Sequence, residues 1–277
     1  MILLLSIAAA IVLCIIVFFN ISYSKTKAEF RRIAAEKLAV YTAEDGVFTK
    51  EDWAALPPPV RRYFETSGFT GTPRMSSMKA IFTKVRFILS PDKPAITIDY
   101  AQYNFVQQPD RIALIDTSMY GIPFQGLDSY VNGTGSMKGV LAKTFTLFDQ
   151  RGKEMDQASL VTFLSEALLL PSAALQSNIT WEDIDDTHAR AVISSYGISA
   201  SGIFSFVMNG ECLSFTTDDR TVIGMDGSKQ QVEWSALLGD YKVIDGIRQP
   251  THLQAVWHYE SGDLIYFDSD NLQVEYR

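Results

Sequence analysis

The chain has 277 residues, 47% of them hydrophobic, and a formal net charge of −8. That length allows one large domain or two small ones plus an anchor, with a core large enough to need neither metal nor disulfides. The two cysteines, Cys14 and Cys212, lie far apart and support neither a disulfide framework nor a cysteine-rich zinc site, and the acidic balance argues against a nucleic-acid partner.

Residues 2–19 form an uncharged apolar run of 18 residues. As a helix it covers roughly 27 Å, close to the ~30 Å hydrocarbon thickness of a bilayer. Residues 1–24 are therefore expected to be a transmembrane anchor. The rival reading is a cleaved signal peptide, for which Ser22-Tyr23-Ser24 offers a small-x-small site. Against it, no Lys or Arg precedes the run, and the run exceeds the usual h-region. Lys25, Lys27, Arg31, Arg32 and Lys37 follow it. That bias makes the protein single-pass in the cell membrane with its domain on the cytoplasmic side, unless these cations simply sit among anionic head groups.

Residues 25–74 are expected to be a helical, membrane-proximal segment. Phe30, Ile33, Ala34, Leu38 and Tyr41 share one helical face, which predicts that the membrane helix continues outward as far as Glu44-Asp45-Gly46. Thr49 and Asp52 have capping-box spacing before a short helix through Trp53 to Leu56. Pro57-Pro58-Pro59 breaks it, and a second helix follows up to Gly68.

From residue 75 to 277 the period is mostly two, which predicts an antiparallel β domain. Ile81, Thr83, Val85, Phe87 and Leu89 share a face; so do Ile96, Ile98 and Tyr100. Residues 127–131 and 140–148 flank the hairpin-like Gly133-Thr134-Gly135. An internal helix near 156–170 interrupts the pattern, with Asp156 as N-cap and Pro171 as stop. The acidic run 182–186 reads as a solvated loop after Trp181. Ile198, Ala200, Gly202, Phe204, Phe206 and Met208 form the cleanest alternating face, ended by an Asn209-Gly210 turn. Asp226-Gly227 marks a further turn. Val232, Trp234, Ala236 and Leu238 alternate with polar residues, as do Leu253, Ala255, Trp257 and Tyr259. About ten or eleven strands and one internal helix leave too few crossovers for a parallel sheet. The fold class is thus α+β, mainly antiparallel β: a large sheet curled into a half-barrel or barrel around the helix.

Several chemistries fail on spacing. Gly133, Gly135 and Gly139 lead into a strand, not into the helix a dinucleotide loop needs. Ser76-x-x-Lys79 leads into a strand and has no Lys-Thr-Gly partner. His252 and His258 share a strand face but stand roughly 20 Å apart, too far for one ion. No metal site and no cofactor is expected.

Leu56-Pro57-x-Pro59-Val60-Arg61-Arg62-Tyr63-Phe64, Asp128-x-Tyr130-x-x-Gly133-x-Gly135-x-Met137, Leu164-x-Glu166-Ala167 with Pro171-x-Ala173-x-Leu175, and Trp181 together span most of the region after the apolar run. These stretches resemble an uncharacterised, mostly bacterial family of membrane-anchored proteins, a domain of unknown function. Ser165 and Leu169-Leu170 stand where that resemblance leads one to expect more Ala and Trp. The resemblance implies a layout and no activity. A looser architectural similarity is to the lipoprotein-carrier half-barrels, which hold acyl chains between a curved sheet and helices.

The leading expectation is a membrane-tethered domain binding a lipid or other apolar ligand on a concave face carrying Gly202, Phe204, Phe206, Trp234, Trp257 and Tyr259. The alternative is that these side chains fill an ordinary core. The protein is then a structural or interaction subunit of an envelope complex or, more remotely, a hydrolase using carboxylates and a histidine. No catalytic residue is assigned, and protein partners are left open.

Overall fold

The computed structural model describes residues 1–91, 93–224 and 227–277; Asp226 of the expected Asp226-Gly227 turn lies outside them. Helix α1 (Ile2–Asn20) buries no residue and is long and apolar enough to cross a membrane, a property that anchors and signal sequences share. It does not run on into α2 (Lys25–Val40). Ser24 intervenes in extended conformation, and its side chain accepts the Lys27 N–H as an N-cap. The second helix also ends at Val40, short of the expected Glu44-Asp45-Gly46.

Two short helices follow, α3 (Lys50–Trp53) behind the predicted Thr49/Asp52 capping box and α4 (Pro58–Thr66) opened by proline. Trp53 stacks between Phe48 and Phe64, with ring centroids 5.1 and 4.5 Å away. Tyr63 meets Phe206 and Phe69 meets Tyr276 edge to face, so these helices join the main core.

The sheet is built from two meanders. The first is β1 (Ser77–Phe87), β2 (Ile96–Phe105), β3 (Arg111–Met119), β4 (Ile122–Val131), β5 (Thr134–Leu141) and β6 (Phe145–Arg151). Helix α5 (Lys153–Ser165), a 3-10 turn at Ala167–Leu169 and α6 (Pro171–Ala174) then interrupt. The second meander begins with β7 (Ile179–Asp185), β8 (His188–Ser195), β9 (Ile198–Phe206) and β10 (Cys212–Thr217). Small hairpins β11 (Thr221–Ile223)–β12 (Lys229–Gln231) and β14 (Lys242–Ile244)–β15 (Ile247–Gln249) flank β13 (Glu233–Gly239). β16 (His252–Tyr259), β17 (Gly262–Ser269) and β18 (Leu272–Tyr276) complete the chain.

The order is β6-β5-β4-β3-β2-β1-β17-β16-β13-β10-β9-β8-β7, with β18 on the first half of β1. Every pairing in it is antiparallel, and the sheet is open, not a closed barrel. Its edges, β6 and β7, are neighbours in sequence. Helix α5 joins them and packs against both β5 and β9, so the sheet curls around it into a half-barrel. Gly135 seats the helix, because a Cβ there would stand 2.4 Å from the Met155 carbonyl oxygen. The glycine motif therefore serves helix packing, with the reversal made just before it by Asn132 and Gly133 at φ 51° and 79°.

Eighteen strands are present among the described residues, more than the ten or eleven expected. The four in the small hairpins have three residues each, too short to show a period. The run 140–148 hides a turn in which Ala142 and Lys143 take positive φ, residue types that carry no turn signal. The inward face of β1 is Met78, Ala80, Phe82, Val85 and Phe87, not Ile81 and Thr83 with Val85: a bulge between Phe82 and Val85 shifts the parity. Residues 182–185 extend β7 instead of forming a loop, tied by their ladder to β8. Met208 lies beyond β9 and is exposed, and of Asn209-Gly210 only the glycine takes positive φ. Helix α5 begins earlier than expected, with Gly152 as N-cap; Asp156, inside its first turns, accepts the Gly135 N–H instead.

Helix α2 covers the convex face of β2–β4, where Phe30 packs with Phe105, Ile112 and Leu127. Lys27 pairs with Asp116 at 2.6 Å and Lys37 with buried Asp110 at 2.5 Å. Two of the five cations after the apolar run are thus neutralised by the sheet, and Arg32 pairs with Glu36 within the helix. Lys143, in the β5–β6 turn, donates to the carbonyls of Phe18 and Ile21 and fixes the end of α1 to that corner of the sheet.

Candidate functional site

Between the concave face and α5 lies a cavity of about 600 Å³. One wall is built from cross-strand pairs. Trp234 faces Trp257, Ala236 faces Ala255 and Leu238 faces Leu253, all six lining the space. The alanine pair between two bulky pairs leaves a trough. A bulge in β17 opposite Ala255 and Val256 turns consecutive Tyr266 and Phe267 into the same cavity. Trp234 donates its indole N–H to the Tyr266 hydroxyl at 3.1 Å. Phe82, Tyr100 and Phe267 form a mutual edge-to-face trio beneath.

One end of the cavity is polar. Arg111, 3% exposed, donates to Asp128 (2.7 Å), Glu166 (3.2 Å), the Tyr100 hydroxyl (2.5 Å) and Gln102 (3.0 Å). Asn104 adds a bond to Glu166 at 2.7 Å. Desolvation pulls the guanidinium pKa down, but Tyr100, Glu166 and Asp128 outweigh it and hold it well above its ordinary value. Burial, followed by those same carboxylates, raises the Tyr100 phenol against the pull of Arg111. Every guanidinium nitrogen is engaged, and the network comprises one cation, two carboxylates and three neutral groups. Its roots lie in the parity of β2, where Ile98 and Tyr100 are followed inward by Gln102 and Asn104. In the sequence, Gln102 and Asn104 continue the alternating face of Ile98 and Tyr100, and two polar residues at core positions are the local signal for this network. Asp128 and Glu166 carry no such signal, because their partners lie on other elements.

The other end carries Arg220, whose guanidinium lies 4.4 Å from the Trp234 ring centroid and 5.2 Å from that of Trp257. Hairpin β11–β12 overhangs this end through Thr221, Val222 and Ile223, and Lys229 ties it to Glu154 of α5 at 2.6 Å. Leu147 of β6 lines the cavity and is 52% exposed, so the cavity reaches the surface there. Cross-strand register puts Thr117, Phe124, Leu141 and Phe145 in one row. This end of the first meander is the one that meets α1 through Lys143, and it carries exposed Tyr120 and Phe145.

The six residues expected to share a ligand face divide. Trp234, Trp257 and Tyr259 line the cavity. Gly202, Phe204 and Phe206 pack in the core further along the sheet, where Phe204 meets Phe215 at 4.8 Å and a Cβ on Gly202 would lie 2.2 Å from the Phe215 ring. Both groups point to the concave side, but the sheet curls between them.

Two polar clusters lie outside this cavity. His258 bonds Asp263 at 2.8 Å and Ser235 at 2.9 Å, a serine–histidine–aspartate order. Ser235 is 3% exposed, is also bonded to Thr216, and alternates with the cavity-lining Trp234 and Ala236, so it has no substrate-sized space beside it. Asp240, His252 and Asp270 bring three ligand atoms within 4.8 Å of one another, but both carboxylates are exposed and His252 is bonded to Asp268.

Among solved structures the fold is similar to a LolA superfamily protein from Nitrosomonas europaea, at 10% identity and a TM-score of 0.40, over 79% of this chain and 93% of that one. It is also similar to a DUF1329 family protein from Desulfovibrio piger, at 13% identity and a TM-score of 0.33, over 83% and 94% of the two chains. No curated protein matches the sequence. The model of the Family of unknown function (DUF6544) matches residues 46–269, from just before α3 through β17, and the protein belongs to that family.

Proposed function

We propose that the protein is a membrane-tethered binding domain for a lipid or similar chain-bearing ligand, held between the curved sheet and α5. The observation that carries this reading is the cavity itself: about 600 Å³, walled mainly by aromatic and aliphatic side chains, with a minority of polar groups among them. Ligand sites of this kind span roughly 300–1,000 Å³ and are mostly apolar with a few placed polar groups. A packed core leaves no void of that size. The orientation adds support. The corner of the sheet bound to α1 through Lys143 also presents Tyr120, Phe145 and Leu147 to the outside. With α1 in a bilayer, that corner adjoins the lipid surface, and Leu147 connects it to the cavity.

The test uses the full chain in membranes with a photoreactive acyl probe, followed by peptide mapping of the adducts. Adducts on β13, β16 and β17 are expected. Labelling confined to residues 2–20 would reject the cavity as the ligand site.

A further inference from the structure

Five charged side chains line the cavity: Arg111, Asp128, Asp149, Glu166 and Arg220. Four are matched. Arg111 holds Asp128 and Glu166, and Asp149 pairs with Arg151 at 2.9 Å. Arg220 has no carboxylate partner among the described residues, and its Nε and Nη1 atoms are shut off from solvent without a hydrogen-bond acceptor. A guanidinium presents five donors and stays charged at every physiological pH, so leaving two of its nitrogens desolvated and unbonded is costly. Stacking on the Trp234 and Trp257 faces offsets part of that cost and holds the group in place, but it supplies no acceptor.

We infer that Arg220 is the receptor for an anionic head group, a carboxylate or a phosphate, and that the cavity's ligand is an anionic amphiphile whose chain lies in the trough beyond it. The geometry gives the chain its course. From Arg220 the wall runs past Trp234 and Trp257 to the space over Ala236 and Ala255, then to Phe267 and Tyr100. It ends at Arg111, each of whose three guanidinium nitrogens already has an acceptor. A planar fork suits either oxyanion, since both offer two oxygens to parallel N–H groups. A neutral or cationic head would leave the Arg220 donors unmet or repelled. The inference rests on the lipid-binding reading and names its ligand class.

The experiment uses the full chain in membranes and three photoreactive probes of equal chain length: a fatty acid, a lysophosphatidic acid and a fatty acid methyl ester. Adducts are read on β13, β16 and β17. In the unaltered protein at least one charged probe is expected to label tenfold or more above the ester, about 1.4 kcal/mol of preference. Which charged probe does so identifies the head group. Arg220→Gln should bring the charged-to-ester labelling ratio to about one, and Arg220→Lys should keep part of the preference. Equal labelling by all three probes in the unaltered protein overturns the inference and leaves the cavity reading intact. So does a charged preference that persists unchanged in Arg220→Gln, because a merely structural stack affects every ligand alike. If Arg220→Gln fails to fold, Arg220→Lys decides the matter: a reduced charged-to-ester ratio supports the inference and an unchanged one overturns it. Absence of cavity adducts from any probe rejects the cavity reading itself, and this inference with it.

Discussion

Arg111 and Asp52 show what single charged residues do in this fold. Arg111 is enclosed by groups from β2, β4 and the end of α5, so it fastens the helix to the sheet as well as closing one end of the cavity. Arg111→Met leaves Asp128 and Glu166 facing each other without their counterion, and should destabilise the protein by about 3–5 kcal/mol. Adding Glu166→Gln should recover part of that loss; strictly additive losses in denaturant unfolding would show that the two side chains do not interact. Asp52 closes the capping box of α3 and pairs with Arg74 at 2.7 Å. Desolvation raises its pKa, but the bonds from Thr49 and Arg74 win and hold the carboxyl below its ordinary value. A depressed carboxylate contributes stability that is fully present above its unfolded pKa and is lost as pH falls through the folded one. Asp52→Asn should therefore cost about 1 kcal/mol near neutral pH, and the gap should begin to narrow as pH falls below about 4. An unchanged gap in thermal midpoints down to pH 3 would contradict this.

At the scale of elements, void and core are set by which residues meet across strands. β13 and β16 place alanine opposite alanine, and space results. β9 and β10 place Phe204 opposite Phe215, whose ring fills the room left by Gly202. The same substitution type should thus have opposite consequences in the two places. Ala255→Phe should fill the trough and reduce acyl-probe labelling at least tenfold, with the thermal midpoint within a few degrees of the parent. Gly202→Ala should cost roughly 1–3 kcal/mol by overpacking and leave labelling unchanged. Probe binding that survives Ala255→Phe would move the ligand away from the trough. The bulge in β17 belongs to the same logic, since without it Tyr266 and Phe267 would point to opposite faces.

For the whole molecule, one topological fact organises the rest. The two edge strands are consecutive in sequence, and the segment between them, α5 to α6, crosses the open side of the sheet. The half-barrel is thereby kept from closing, and the cavity is what remains between helix and sheet. Its attachment to α1 runs through Lys143 and the ion pairs of α2, so the domain is held close to the end of α1 and not on a free linker. The protein should stay in the membrane pellet through carbonate washing, because 18 apolar residues insert far more firmly than a surface helix. Release of a soluble product beginning near Lys25 would identify a cleaved signal instead.

The amino-acid sequence by itself determined the features set by local periodicity and punctuation. Residues 2–19 read as a membrane-length helix, the proline cluster at 57–59 as the helix start, and the alternation from residue 96 onward as antiparallel strands. These depend on side-chain spacing along one element, which a single chain displays directly. Tertiary structure alone decided the rest. Which alternating face meets a void depends on partners distant in sequence: Trp234 and Gly202 both point inward, yet only Trp234 borders the cavity. The bulges of β1 and β17 change parity through cross-strand pairing and leave no compositional mark. Arg111, Asp128 and Glu166 come from three separate elements, and their meeting follows from register and from the path of α5. Periodicity specifies a face, whereas a site requires two faces brought together, and only packing supplies the second.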